Sequence, residues 1–268
     1  MFPDWQTLFA PRPLAARAVR LQLAGLTSPV WFASANAADL MELPVDSFLT
    51  TADSTRAGAF KFGQPRENFT LGRLAGKLAL VAGAEAAPAL GASSPLTPAL
   101  SPTGGEGEEL AQRLRSFEIG NGERGEPVVR AGDCKSPALG VSLSHVNGLG
   151  VAVAFAAGER VGLDLELIDD RRAETVRKGV PLSAEEEVWL KATSLPKATA
   201  LLLLWTARES LGKALGCGLA CKWEMLALRR IEVGGDGVCA GQFLHHPQFR
   251  CVSWVGSEAV MSLAFGPA

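Results

Sequence analysis

Two hydrophobic patterns divide the chain, one typical of strands and one typical of helices. Alternating or short apolar runs bounded by turn residues predict strands at 17–26, 30–35, 116–119, 128–129, 140–145, 149–155, 161–167, 225–233, 241–245 and 249–265. Apolar residues at helical spacing predict helices at 66–83, from about 183, and at 196–215, with a helical or mixed stretch over 46–62. Ser183 with Glu186 fits a capping box, and Gly216 suits the residue just past the end of the last helix. The charged residues 169–172 are expected to form a loop.

The predicted strand 161–167 carries two acidic residues, Asp164 and Glu166, between apolar neighbours. On a strand they point to one side, roughly 6–7 Å apart. Two carboxylates so close repel each other unless a cation lies between them. A Mg²⁺ ion, which prefers oxygen ligands, would satisfy both. On this segment alone, the alternative that both acids simply face water carries more weight.

The predicted helix 196–215 adds a third carboxylate and a cation. Glu209 and Lys213 are four residues apart and share one face of the helix. An exposed pair of this kind is usually only a surface pair, but here it continues a strongly apolar helix. Glu209 could supply another oxygen ligand to a metal, and Lys213 could contact a phosphate as a point charge.

A hairpin is predicted around Asn147-Gly148, with Ser144 and His145 near its tip. A lone histidine at a strand end is more often structural than catalytic. Beside acids and a lysine, His145 could donate a hydrogen bond to a phosphate.

Three motifs together resemble the signature of the 4′-phosphopantetheinyl transferase superfamily. They are Ser-x-Ser-His at 142–145, Gly-x-Asp-x-Glu at 162–166, and Trp-x-x-Arg-Glu-Ser-x-x-Lys at 205–213. The order and spacing are most similar to those of the long, pseudo-dimeric, surfactin-synthetase-activating members. The resemblance implies an α+β fold of two similar halves related by a pseudo-twofold, with the cofactor cleft between them.

This resemblance also implies a reaction, a metal and partners. The protein would move the 4′-phosphopantetheine arm of coenzyme A onto a serine of an apo acyl, polyketide or peptidyl carrier protein, as holo-acyl-carrier-protein synthases do, and would release 3′,5′-ADP. Mg²⁺, with Mn²⁺ as an alternative, would bind Asp164, Glu166 and Glu209. Glu209, Lys213 and His145 would be catalytic, with Glu209 acting as ligand, base or both.

Further coenzyme A contacts follow from the same resemblance. Ser144, His145, Lys213 and Arg208 would bind the cofactor; Arg208 stands where lysine is more usual in the family. Basic residues of the first half commonly bind the 3′-phosphate, which makes Arg66, Arg73 and Lys77 the candidates, although the last two could also lie on a solvated outer helix face.

The halves are expected to span 1–130 and 131–268, the second carrying the metal and catalytic motifs. Within the first, a Pro/Gly/Ser-rich stretch at about 91–109 has almost nothing to bury and predicts a disordered insert. Because two halves can build the cleft in one chain, a monomer is expected.

Composition and charge limit the kinds of protein that the chain can be. A net charge of −2 over 268 residues argues against nucleic-acid binding. The chain lacks a signal-peptide pattern and an apolar run long enough to cross a bilayer, so a cytoplasmic protein that binds no membrane is expected. Its five cysteines match no zinc pattern and are expected to be free thiols.

Two alternatives to the transferase remain. One is a non-catalytic relative that binds coenzyme A or a carrier protein, although such a relative would usually have lost an acid or the lysine. The other is a Mg²⁺-dependent phosphohydrolase that uses the same acids and would act on phosphoesters without a carrier protein.

Overall fold

The computed structural model describes residues 2–61, 63–86, 106–131 and 139–267, which form two compact units. One unit spans Pro11–Gly158. Its helices are α2 (Asp39–Glu42), α3 (Val45–Phe48), α4 (Thr51–Ala59), α5 (Gln64–Ala86) and α6 (Glu106–Arg115). Its strands are β1 (Val19–Leu21), β2 (Val30–Asn36), β3 (Phe117–Asn121), β4 (Pro127–Ala131), β5 (Leu139–Val146) and β6 (Leu149–Ala156).

Helix α5 packs on a four-stranded antiparallel sheet with strand order β1-β2-β6-β5. A side chain at Gly150 on β6 would overlap the backbone of Leu71, so glycine permits this close approach. The predicted hairpin is confirmed: β5 and β6 pair around a two-residue turn in which Gly148 has φ +77°. The predicted strands 116–119 and 128–129 are confirmed as β3 and β4, which pair with each other.

Two cations of α5 are buried, which corrects the expectation of an outer, solvated face. Lys77 is 0% exposed, and its ammonium lies 2.8 Å from Asp53 and donates a hydrogen bond to the carbonyl of Phe48. The side chain of Arg73 donates to the same carboxylate at 3.1 Å and lies over the ring of Phe69. Asp53 belongs to α4, so a partner distant in sequence allows both cations to be buried.

The other unit spans Met1–Ala10 and Glu159–Ala268. Its helices are α1 (Trp5–Leu8), α7 (Asp170–Gly179), α8 (Ala184–Ala192) and α9 (Lys197–Ala214), with short 3₁₀ helices at Gly218–Ala220 and Trp223–Leu226. Its strands β7 (Arg160–Leu167), β8 (Leu228–Val233), β9 (Val238–Phe243), β10 (Arg250–Val255) and β11 (Ala259–Gly266) form an antiparallel sheet with order β7-β11-β10-β9-β8.

Helix α9 lies directly against β7, and Gly162 marks the point of closest approach. A Cβ atom at Gly162 would overlap the carbonyl oxygen of Ser210, so no larger residue fits without moving the helix. A buried hydroxyl contact also joins α9 to the sheet: Thr206 and Ser262 lie 2.7 Å apart through their Oγ atoms. These contacts fix both the distance and the rotation of α9 over the sheet.

A buried ion pair connects α8 to α9. Ser183 and Glu186 form the predicted capping box at the start of α8. The same Glu186 carboxylate pairs with Arg208 of α9, and both side chains are 1% exposed. It also accepts the backbone N–H of Leu228 at 3.0 Å. One carboxylate therefore connects two helices and the first residue of β8.

Helix α9 ends in a Schellman motif, as the predicted glycine terminus requires. The N–H of Gly216 bonds to the carbonyl of Lys213, and the N–H of Cys217 bonds to that of Gly212. The following turn brings the Cα atoms of Cys217 and Cys221 to 6.0 Å, and the two residues form a disulfide. The expectation of free thiols is therefore wrong for this pair, whereas Cys239 and Cys251 are free and buried.

The expectation of a loop at 169–172 is also wrong, because α7 begins there. Asp169 caps this helix by accepting the N–H of Arg172. Ala173, Val176 and Val180 form its buried side. This spacing of apolar residues was a helix signal, obscured by the high charge of the segment.

The units divide the chain after Gly158, whereas the predicted halves divide it after Arg130. The difference arises because β5 and β6 pair with β2 and so belong to the first sheet. Residues 91–105 of the predicted insert lie outside the described residues, and residues 106–109 begin α6. Within the described ranges, no helix is long and apolar enough to cross a membrane.

We predict that Glu186→Ala destabilises the fold strongly, because it leaves the buried guanidinium of Arg208 without its partner. The expected loss is about 3–5 kcal/mol in the free energy of unfolding, measured by urea denaturation. Glu187→Ala is the matched control, since this adjacent acid makes a partly exposed ion pair with Arg177 and is expected to cost at most about 1 kcal/mol. Equal losses in the two variants would contradict the structural role of Glu186.

Candidate active site

The acidic pair of β7 lies beside α9 and α7, and the two acids differ in environment. Asp164 is 6% exposed, so it is more deeply buried than the alternating pattern of the strand predicted. Glu166 is only half-buried, two residues nearer the end of the strand. The same face of β7 therefore presents one enclosed and one partly exposed carboxylate.

Lys213 is held against β7 from the last turn of α9. Its ammonium donates to Asp164 Oδ1 and to the carbonyl of Leu163, each at 2.8 Å. The Lys213 side chain is still 28% exposed. The lysine is thus positioned by the strand while part of its surface faces solvent.

Glu209, one turn before Lys213 on α9, carries the most perturbed carboxyl of the site. Burial raises its pKa to about 7, and the nearby charges of Asp164 and Glu166 act in the same direction. The positive charges of Lys213 and Arg172 oppose this effect but do not cancel it. The site thus has more negative charge than its two cations balance, and a carboxyl poised to take up a proton near neutral pH.

Sequence reasoning missed Arg172, which contacts Glu166 directly. Its Nη2 and Nε atoms donate to Glu166 Oε1 at 2.5 and 3.2 Å, and this hydrogen bond is the main cause that raises the pKa of Arg172. Its guanidinium also lies over the ring of Trp205, 4.9 Å from the centroid. Arg172 was overlooked because its segment was interpreted as a loop, although it follows Glu166 by only six residues.

Trp205 completes this contact set. Its indole N–H donates to Glu166 Oε1 at 3.0 Å, and its ring stacks on Trp223 with centroids 4.8 Å apart. Trp205 belongs to the apolar helix predicted at 196–215, and that pattern did not indicate its polar contact. Glu166 is therefore held by Arg172 from α7 and by Trp205 from α9.

The predicted metal trio has suitable donors but is not assembled as a metal site. Asp164, Glu166 and Glu209 offer only carboxylate oxygens, and their surplus negative charge suits a hard divalent cation. In the ranges that the structure describes, however, no group of three or more Asp, Glu, His or Cys residues is arranged to hold a metal ion. Lys213 and Arg172 instead bind Asp164 and Glu166, and the trio stays a prediction.

The other predicted residues have varied surroundings. Arg208 is fully buried on Glu186, and Lys77 and Arg73 are buried on Asp53, so these three cations already have internal partners. Arg66, near the start of α5, is exposed.

Ser144 and His145 occupy the predicted end of β5, where Ser144 is buried and His145 is exposed. Both belong to the unit of residues 11–158, and their roles at the site stay predictions.

Residues 160–264 match the model of the 4′-phosphopantetheinyl transferase superfamily. None of the curated proteins matches the chain. The family match confirms the resemblance that the motifs predicted and supports a phosphopantetheinyl transferase in general. The long, pseudo-dimeric subtype and the pseudo-twofold stay predictions.

We predict that Glu209→Gln stabilises the metal-free protein increasingly as pH rises. Because the folded pKa of Glu209 is raised to about 7, the parent gains stability from the neutral carboxyl at low pH. It loses that contribution as pH rises from about 5 to about 7.5. The melting temperature of the variant minus that of the parent should therefore increase over this pH range and stay constant at higher pH.

Thermal unfolding followed by circular dichroism in chelator-treated buffer measures this difference. Glu185→Gln, at an exposed position on α8, is the matched control and should show no comparable pH dependence. A constant difference between Glu209→Gln and the parent from pH 5 to pH 8 would contradict the proposed electrostatic environment.

Proposed function

We propose that the chain is a 4′-phosphopantetheinyl transferase that moves the phosphopantetheine arm of coenzyme A onto a serine of an apo carrier protein. The observation that carries this proposal is the coincidence of the charged site with the family match. Asp164, Glu166, Glu209 and Lys213 all lie within residues 160–264. Three of these four residues also have contacts that fix them around one end of α9 and one side of β7.

The reaction joins the serine oxygen of the carrier to the β-phosphorus of coenzyme A and breaks the bond to 3′,5′-ADP. Most of its barrier lies in positioning the nucleophile and in the charge of the phosphoryl oxygens. Bound Mg²⁺ would offset that charge, with Mn²⁺ as an alternative ion and Asp164, Glu166 and Glu209 as the residues that would hold it.

Glu209 is the residue proposed to take the serine proton. A general base works best when its pKa is near the working pH, and burial raises the pKa of Glu209 to about 7. Glu209 is also one of the proposed metal ligands. The two roles need not use the same oxygen atom of its carboxyl group.

Lys213 is proposed to steady a phosphate oxygen with its ammonium. Its hydrogen bonds to Asp164 and to the carbonyl of Leu163 place this charge at the site before substrate arrives. The Lys213 side chain is 28% exposed, so a phosphate oxygen can approach its positive charge from solvent.

The proposed contacts with the 3′-phosphate now centre on Arg66. Arg73 and Lys77 share the buried carboxylate of Asp53, and exposing either would leave that charge with less compensation. Arg208 is likewise excluded from direct contact by its burial on Glu186. Among the predicted basic residues of α5, Arg66 has its side chain on the surface.

We predict that the parent protein, with coenzyme A and Mg²⁺, adds the mass of one phosphopantetheine arm to an apo carrier protein. Glu209→Gln and Lys213→Met should each slow this transfer by at least about 100-fold, because they remove the proposed base and the proposed phosphate contact. Intact-mass spectrometry of acyl, polyketide and peptidyl carrier proteins measures the product directly.

Lys197→Met, at the exposed first residue of α9, is the matched control and should retain transfer. No mass gain on any carrier, despite measurable coenzyme A binding, would favour the non-catalytic relative. Hydrolysis of simple phosphoesters without a carrier would favour the phosphohydrolase.

We predict that Arg66→Gln weakens binding of coenzyme A about tenfold but leaves binding of 3′-dephospho-coenzyme A unchanged. One charge-assisted contact to a phosphate has this magnitude. Isothermal titration of both ligands separates the 3′-phosphate contact from general affinity, and Arg56→Gln on α4 serves as a cation control. Equal weakening for the two ligands would overturn the assignment of Arg66 to the 3′-phosphate.

A further inference from the structure

The guanidinium of Arg172 contacts the carboxylate of Glu166, which is one of the three proposed metal ligands. Two of its nitrogens donate to Oε1 of Glu166, at 2.5 and 3.2 Å. The face of the same group rests on Trp205, 4.9 Å from the ring centroid. The cation is thus held by an ion pair and by an aromatic ring, a combination that fixes the planar group in one orientation.

This contact uses an oxygen that a metal ion would need. Glu166 Oε1 accepts from both Arg172 and the indole N–H of Trp205. A carboxylate oxygen with several donors directed at it offers little remaining electron density to a cation. Any divalent ion that binds through this oxygen must therefore displace at least the charged donor.

The charges around the site also indicate that Arg172 is the group that a metal ion would displace. Arg172 and Lys213 are the cations that interact with the three carboxylates of the site. Lys213 is further held by the carbonyl of Leu163 on the strand. Arg172 is partly exposed and comes from the first turn of α7, with solvent available to it once it leaves Glu166. Arg172 is therefore the cation that can withdraw.

We propose that Arg172 is a positioning residue that competes with the divalent cation for Glu166. In the chain alone, Arg172 neutralises this carboxylate and keeps metal affinity low. Binding of the metal through Oε1 of Glu166 requires the guanidinium to release that oxygen. The inference rests on the proposed metal trio, and it adds a residue that tunes how readily that trio fills.

The experiment measures binding of Mn²⁺ to the full chain without coenzyme A or carrier protein. Electron paramagnetic resonance of free Mn²⁺ gives the dissociation constant for the parent, Arg172→Gln, Arg172→Lys and the control Arg171→Gln. The control removes the same charge from the exposed adjacent position. Circular dichroism melting accompanies each variant, because a purely structural role would lower stability without tightening metal binding.

Arg172→Gln should bind Mn²⁺ about tenfold more tightly than the parent, the effect expected for loss of one charged hydrogen bond. The affinity of Arg172→Lys for Mn²⁺ should lie between the two, since lysine keeps the positive charge but lacks the planar guanidinium with its two donor nitrogens. Arg171→Gln should match the parent. In a Glu166→Gln background, Arg172→Gln should add nothing, because the competition acts only through that carboxylate.

Several results would overturn the proposal. Weaker or equal Mn²⁺ binding in Arg172→Gln, an equal gain in Arg171→Gln, or a gain that persists with Glu166→Gln would each do so. Absence of Mn²⁺ binding in both the parent and Arg172→Gln would also overturn it, since freeing Glu166 must then have no effect. Transfer to a carrier protein is measured separately, so a failed transferase proposal with intact competition is recognisable.

Discussion

The close packing of α9 on β7 is the constraint on which the candidate site depends. Gly162 allows the backbone of α9 at Ser210 to approach the strand without a side chain between them. At this distance the ammonium of Lys213 can donate hydrogen bonds to the carbonyl of Leu163 and to the carboxylate of Asp164. A bulkier residue at 162 would push the helix outwards and separate the groups that the site needs. The glycine of the motif therefore acts through geometry, without chemistry of its own.

Two faces of α9 use charge in different ways. On one face, Arg208 is buried against Glu186 with its charge fully compensated, and it fixes α8 and β8. On the other, Glu209 is only partly compensated, and burial raises its pKa to about 7. Two neighbouring residues in the sequence thus differ in environment: Arg208 is fully paired, whereas Glu209 has a raised pKa. The paired ion stabilises the helix position, which in turn allows the unbalanced carboxyl to be maintained.

Local signals predicted the parts of the fold that depend on neighbours in sequence. The turn at Gly148, the capping box of Ser183 and the glycine end of α9 are each specified within a few residues, and the structure has all three. Partners distant in sequence could not be inferred in this way. Lys77 was predicted to contact the 3′-phosphate or to lie on a solvated helix face, because its partner, Asp53, is on another helix. Arg208 was predicted to contact the cofactor for the same reason.

The candidate site shows the same division between local and distant information. Spacing alone brought Asp164 and Glu166 onto one strand and Glu209 and Lys213 onto one helix face, but it could not show what neutralises them. Arg172 reaches Glu166 only because α7 starts directly after β7 and turns the guanidinium back over Trp205. The chain thus brings its own cation to the carboxylate that the motif assigns to a metal. Without Arg172, the carboxylates of Asp164, Glu166 and Glu209 would have only the charge of Lys213 to offset their mutual repulsion.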